Sequence, residues 1–117
     1  MKRFTLLLTL SIALFSFSSV NLLLPTNLKI TVLDDVGSYI EDAEVTLYGN
    51  EDDYRNEENP VSGTLKTNER GQVTFKKLEP KIYYVYVEKG DLNNDGGAVE
   101  TNPLVKGNLN KVNIIIE

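Results

Sequence analysis

The chain has no cysteine and no histidine. The first absence excludes a disulfide framework, a thiolate nucleophile, thiolate-bound metal and the lipid-modified cysteine that tethers bacterial lipoproteins. The second excludes imidazole acid–base chemistry and the usual zinc, copper and iron ligands. Tryptophan is also missing, so aromatic character rests on six tyrosines and four phenylalanines. Positive charge is in short supply, with 12 Lys and Arg against 17 Asp and Glu and a net charge of −5. That balance disfavours nucleic acid or an anionic membrane as a partner. The 117 residues leave room for one domain. Without disulfides its core alone must hold it, and roughly 90 to 100 residues suffice for that.

What is present begins with a targeting pattern. Met1-Lys2-Arg3 supplies positive charge, Leu6 to Phe17 is an apolar run, and Ser16-Phe17-Ser18 offers small residues where a signal peptidase reads. The chain therefore divides into a secretory signal peptide over 1–18, a short linker over 19–27 and one domain over 28–117. Export to the periplasm, cell envelope or medium follows, with no stable membrane insertion after cleavage. The alternative is an uncleaved anchor, because Phe4 to Leu24 approaches the 20 or so residues that cross a bilayer. Asn21 and the interrupting serines argue against it.

After Pro25 the writing is that of half-buried strands, with apolar and polar residues alternating and turn residues between. Leu28, Ile30 and Val32 define a first strand, and Ala43, Val45 and Leu47 a second. Glu51 to Pro60 reads as a polar loop. Gly63 to Thr67 is a weak strand, and Asn68-Glu69-Arg70-Gly71 is a hairpin turn before Val73 and Phe75. Ile82 to Glu88 carries the strongest strand character in the chain. Gly90 to Gly97 reads as a second polar loop, Ala98 to Leu104 as a weak strand, and Val112, Ile114 and Ile116 as the last. Seven or so short strands at such spacing predict an all-β, antiparallel Greek-key sandwich.

These residues resemble the carboxypeptidase regulatory-like domain, a transthyretin-like (prealbumin-like) module. The resemblance lies in Gly37 followed by Ala43, Val45 and Leu47. It continues in the turn Thr67-Asn68-Glu69-Arg70-Gly71 with Val73 and Phe75, and in Leu78, Pro80, Tyr83, Val85 and Val87. Asn68 stands where the family usually has Asp, and Lys81 where it has Gly. The resemblance implies the sandwich fold and a non-catalytic role beside other domains. More distantly the chain resembles the collagen-adhesin B-type repeat, in which an isopeptide bond joins Lys to Asn or Asp beside a buried acid. Glu88 would fall at the acid position and Asn110 or Asn113 on the last strand, but Lys29 is out of place for the lysine.

Three groups of residues are candidates for chemistry. Asp91, Asn93 and Asp95, followed by Gly96, have the opening spacing of a calcium loop, without its closing acid. Asp34, Asp35 and Asn68 would share that end of the sandwich, and the acidic run Glu51 to Glu58 the opposite end. The second group is apolar: Tyr48, Ile82, Tyr84, Tyr86 and Ile115 all fall on outward strand positions. Gathered on one sheet face, they would make a binding patch for a protein or a glycan. The third is Ile114-Ile115-Ile116, which as an edge strand would pair two chains into a homodimer. Catalysis finds no constellation: beyond Ser19 at the expected cleavage point the serines are Ser38 and Ser62, neither in a nucleophile motif, and the carboxylates lie in polar loops. The reading is a non-catalytic exported module with a structural or binding role. A calcium-stabilised extracellular module is the alternative, and a small hydrolase is less favoured.

Overall fold

A computed structural model describes residues 23–117; the expected signal peptide over 1–18 and its expected cleavage point lie outside the described residues. Strands are Asn27–Leu33 (β1), Glu44–Tyr48 (β2), Leu65–Lys66 (β3), Gln72–Phe75 (β4), Tyr84–Lys89 (β5), Leu92–Asn93 (β6) and Leu109–Ile115 (β7). One helix, Glu51–Asn56 (α1), follows β2. The strands form two sheets, one in the order β4-β1-β7 and one in the order β3-β2-β5-β6. Their facing sides share one core of Leu28, Ile30, Val32, Val45, Leu47, Val73, Phe75, Val85, Val87, Ile114 and Ile116. β1, β2, β4 and β5 contribute alternate residues, as the period-2 pattern requires, whereas the two-residue strands β3 and β6 contribute none. The protein is thus all-β in character and sandwich-like.

Two expectations need correction. The pairing is not wholly antiparallel: β1 and β7 run parallel, from Asn27 opposite Leu109 to Leu33 opposite Ile115. No hairpin joins these strands, and parallel neighbours need a long crossover connection; here the rest of the sandwich supplies it. The segment Glu51 to Asn56 is helical, not a loop. Asn50 caps it, its Oδ1 accepting from the Asp53 N–H at 2.8 Å. Glu51, Asp52 and Asp53 lie in the first turn, where negative charge suits the helix dipole. Arg55 pairs with Glu51 one turn back.

Local devices fix the loops. Asn68 Oδ1 accepts from the N–H groups of Arg70 and Gln72, so Asn serves the turn through its carbonyl. Gly71 follows with φ of +70°, and a Cβ there would stand 2.6 Å from the Val32 carbonyl oxygen. Thr67 joins two loops from a buried position: its hydroxyl donates to the Ile40 carbonyl and accepts from the Ala43 N–H. Tyr83 packs in the core while its hydroxyl bonds both backbone groups of Glu79, holding the 79–83 corner that carries Lys81.

The edge of the larger sheet beside β5 is built differently from the expected strand over 98–104. β6 pairs with β5 for only two residues, Glu88 with Asn93 and Lys89 with Leu92. The chain then bulges away over Asp95 to Gly97 and returns at Val99, whose carbonyl accepts from the Val85 N–H at 2.9 Å. In the gap the buried side chain of Asn94 takes the place of a strand. Its Oδ1 accepts from the Val87 N–H at 2.9 Å, and its Nδ2 donates to the Val85 and Ala98 carbonyls at 2.8 and 3.2 Å. Further along, Thr101 Oγ1 accepts from the Tyr83 N–H.

Two stability outcomes follow. Asn94→Ala strands the Val87 N–H and the Val85 carbonyl, and should cost about 2 to 4 kcal/mol, read as a lower urea midpoint at unchanged slope. Gly71→Ala meets both a positive φ and a backbone oxygen, and should cost at least about 1 to 3 kcal/mol by the same measurement.

Candidate functional site

The site is assembled on the outer face of β2 and β5. Register places Tyr48 directly opposite Tyr84 and Thr46 opposite Tyr86. Three tyrosines therefore line one patch of sheet, on the side away from the core. From above, α1 lowers Tyr54 onto them. Its ring lies 6.0 Å from Tyr48 in an edge-to-face arrangement, 6.2 Å from Tyr84 and 6.4 Å from Tyr86. Each such pair contributes about 0.5 to 1.5 kcal/mol beyond area burial. No residue of α1 is itself fully buried, so these ring contacts hold a helix too short to be stable alone.

Of the five residues expected to share a patch, the structure brings together Tyr48, Tyr84 and Tyr86. Tyr48 is only 5 % exposed under Tyr54 and is a floor, not a contact surface. Ile82 precedes β5 with the same parity and is half-buried. Ile115 lies on β7 in the other sheet, so it cannot belong to this face. The expectation assumed one sheet for all five, which the strand order does not allow.

The bulge beside Asn94 meets the helix here. Tyr54 donates its hydroxyl to Asp95 Oδ1 at 3.1 Å, and Tyr86 donates to Glu88 Oε2 at 3.2 Å. The acidic segment after β2 and the Asp91–Gly97 segment therefore touch, contrary to the expectation that they occupy opposite ends. The reason is that 93–101 is no end loop but a broken edge running back along β5. Between α1 and this edge lies a cleft of about 500 Å³. Tyr54 and Tyr84 form its aromatic wall; Glu51, Arg55, Asp95 and Glu100 supply its charged rim.

The calcium reading does not fit this geometry. Asn93 Oδ1 accepts from the Asp95 N–H, closing an Asx turn, and Asp95 turns to Tyr54 while Asp91 is exposed. Asp34 Oδ1 and Asn68 Oδ1 are taken by their own turns. Among the described residues no three Asp or Glu side chains converge to hold a metal. The isopeptide geometry is likewise missing. Glu88 is exposed on the outer face, Lys29 sits opposite Thr74 and Lys111 on β1, and Asn110 holds backbone groups of Val105.

Tyr54 and Asn94 are the residues that sequence reasoning missed. Tyr54 was hidden by the charges around it. Asn50 with Asp53 three residues on, and Glu51 with Arg55 four on, is a helix-start pattern that would have placed it on a structured element. No comparable local signal marks Asn94. No protein-family model matches the chain, and no curated protein matches it. Among the described residues no helix is long and apolar enough to cross a membrane.

The cluster perturbs its own titration. Burial pushes the Tyr54 hydroxyl up to about 12, with further help from the Asp95 carboxylate that accepts its proton. Burial and then the Glu88 carboxylate push Tyr86 up to about 12 as well. Tyr48 is raised by burial and by Glu57. Raised folded-state values mean that the neutral hydroxyls stabilise the fold fully below the unfolded value near 10. That contribution is lost as pH climbs through about 12. A spectrophotometric titration should therefore show a late tyrosinate component, accompanied by weakening of the fold, between those limits. Tyr54→Phe should remove part of it; an unchanged late component in that variant would contradict the assignment.

Proposed function

We propose that this chain is an exported, non-catalytic module whose task is to bind a protein or a glycan at the cleft between α1 and the Asp95–Glu100 edge. The single observation that carries the reading is the convergence there of two tyrosine rings with three carboxylates and one guanidinium. A tyrosine offers a broad apolar body with a polar tip. The rim of Glu51, Asp95, Glu100 and Arg55 offers acceptors and donors that would fix a hydroxylated or amide-bearing ligand against that wall. The non-catalytic part rests on composition, since a chain without His or Cys has few routes to an activated nucleophile. Export rests on the N-terminal sequence pattern.

The finer fold assignment, a Greek-key sandwich of the transthyretin-like, carboxypeptidase regulatory-like kind, belongs to the same proposal. Supporting it, the hairpins β2–β3 and β5–β6 lie side by side in one sheet while β1, β4 and β7 cross to the other. Asn68 and Lys81, which depart from the family's usual residues, are both accommodated by the turns they occupy.

The test is capture on the immobilised protein, from the envelope and secreted fraction of its source and from a glycan panel, followed by affinity measurement. The expected result is one saturable ligand whose affinity falls at least about tenfold in Tyr84→Ala, the loss typical of a buried aromatic anchor, and again in Glu100→Gln. Glu100→Gln, which removes no ring contact, should melt within a few degrees of the parent, so its loss of affinity is not a loss of fold. Retention of every captured ligand by both variants would remove the cleft from consideration.

A further inference from the structure

β7 has a partner on one side only, because the smaller sheet ends with it. Its ladder with β1 is framed by two bonds, Asn27 N–H to the Asn108 carbonyl and Ile116 N–H to the Leu33 carbonyl. Backbone groups alternate sides along a strand, so the even-numbered residues of β7 turn theirs toward β1. Leu109, Lys111, Asn113 and Ile115 turn theirs to the open edge. The edge is closed just beyond β7 at one end, where Glu117 exchanges backbone bonds with Asn93. At the other, the Asn110 amide holds Val105. Between these closures no hydrogen bond from elsewhere in the described residues reaches the outward groups of Lys111, Asn113 or Ile115. Such a row of unpaired donors and acceptors is a template for another strand.

The pattern along the edge suits a copy of itself. Two identical strands exchange identical bonds when they run antiparallel about a twofold axis, and outward-turned residues must then meet each other. A register centred on Lys111 would set two ammonium groups face to face. Registers centred on Asn113 or later need Glu117, whose backbone is held by Asn93; earlier ones run into the 105–108 turn. The register centred on Val112 avoids all three. It sets Leu109 opposite Ile115 twice and Lys111 opposite Asn113 twice, with no like charges opposed. Leu109 and Ile115 are 49 % and 53 % exposed in the single chain, and this pairing gives both an apolar neighbour.

We propose that the protein forms a twofold dimer by antiparallel pairing of β7 with β7 of a second copy, centred on Val112, which fuses the two three-stranded sheets into one of six strands. The contact is one strand of seven residues, about 23 Å long at about 3.3 Å per residue. It is narrower than the roughly 800 Å² per partner of a tight complex, so the dimer dissociates on dilution.

Sedimentation of the purified protein over a concentration series tests this. A monomer–dimer equilibrium is expected, with the dissociation constant raised roughly tenfold or more in Asn113→Lys, which opposes like charges twice. Asn113 is exposed and makes no side-chain bond, so that variant should melt with the parent. Because the chain has no cysteine of its own, Val112→Cys gives a clean second test. At the twofold centre it should cross-link two copies on mild oxidation, whereas Asn113→Cys, facing Lys111, should not. Three results would overturn the proposal: a protein monomeric up to millimolar concentration, a dimer indifferent to Asn113→Lys, or an edge whose amides are protected only when an unrelated extended peptide is added.

Discussion

The hydrogen bonds of the Asn94 amide to β5 are the contact on which the upper half of this molecule depends. A strand beside β5 would have satisfied Val85 and Val87 with its own backbone and run straight. By satisfying them with a side chain, the protein frees three residues, Asp95 to Gly97, to leave the plane of the sheet. Only because the chain bulges there does Asp95 rise to meet the Tyr54 hydroxyl. That bond and the ring contacts with Tyr48, Tyr84 and Tyr86 hold α1 over the sheet, and the cleft is the space left between helix and bulge. One buried amide thus links a local irregularity of the edge to the placement of the candidate site.

The same theme, management of sheet edges, explains the uneven character of the two sheets. The larger one is finished at β5 by Asn94, Val99 and Thr101, and its remaining outer face is partly roofed by α1. The smaller one ends at β7 with its backbone unpaired over the middle of the strand. Exposed edges invite further pairing unless they are short, charged or covered. Lys111 is the single charge within β7, and its side chain lies with the other exposed odd-numbered residues, where it does not obstruct a neighbouring strand. The edge beside β5 is closed from within; the edge at β7 is left for a second copy to close.

What could be read in the residues was the frame. The alternation of Leu28, Ile30 and Val32, of Val45 and Leu47, and of Val85 and Val87 named the core correctly, because burial on one face of a strand imposes a period of two. The 68–71 turn was legible for the same local reason, an Asn side chain and a Gly serving one tight reversal. The site was half legible. Tyr84 and Tyr86 were placed on the outer face, but their covering by Tyr54 was not, since a short capped helix has no hydrophobic period to betray it. Ile115 was misassigned because sheet membership is decided by long-range pairing, and a strand pattern carries no mark of its neighbour. Asn94 was invisible in principle: an Asn beside Asp and Gly reads as a solvated turn, and only the tertiary fold reveals that it fills a gap in a ladder.

The most direct test is native-state hydrogen exchange at the Val87 amide, whose only partner is the Asn94 side chain. If the amide substitutes for a strand, Val87 should exchange only through global unfolding, as slowly as Thr46 and Tyr48, whose register with Tyr86 and Tyr84 places them in the central β2–β5 ladder. Exchange at the rate of a frayed edge, orders of magnitude faster than those two, would mean that Asn94 does not close the sheet and that the placement of Asp95, Tyr54 and the cleft needs another cause.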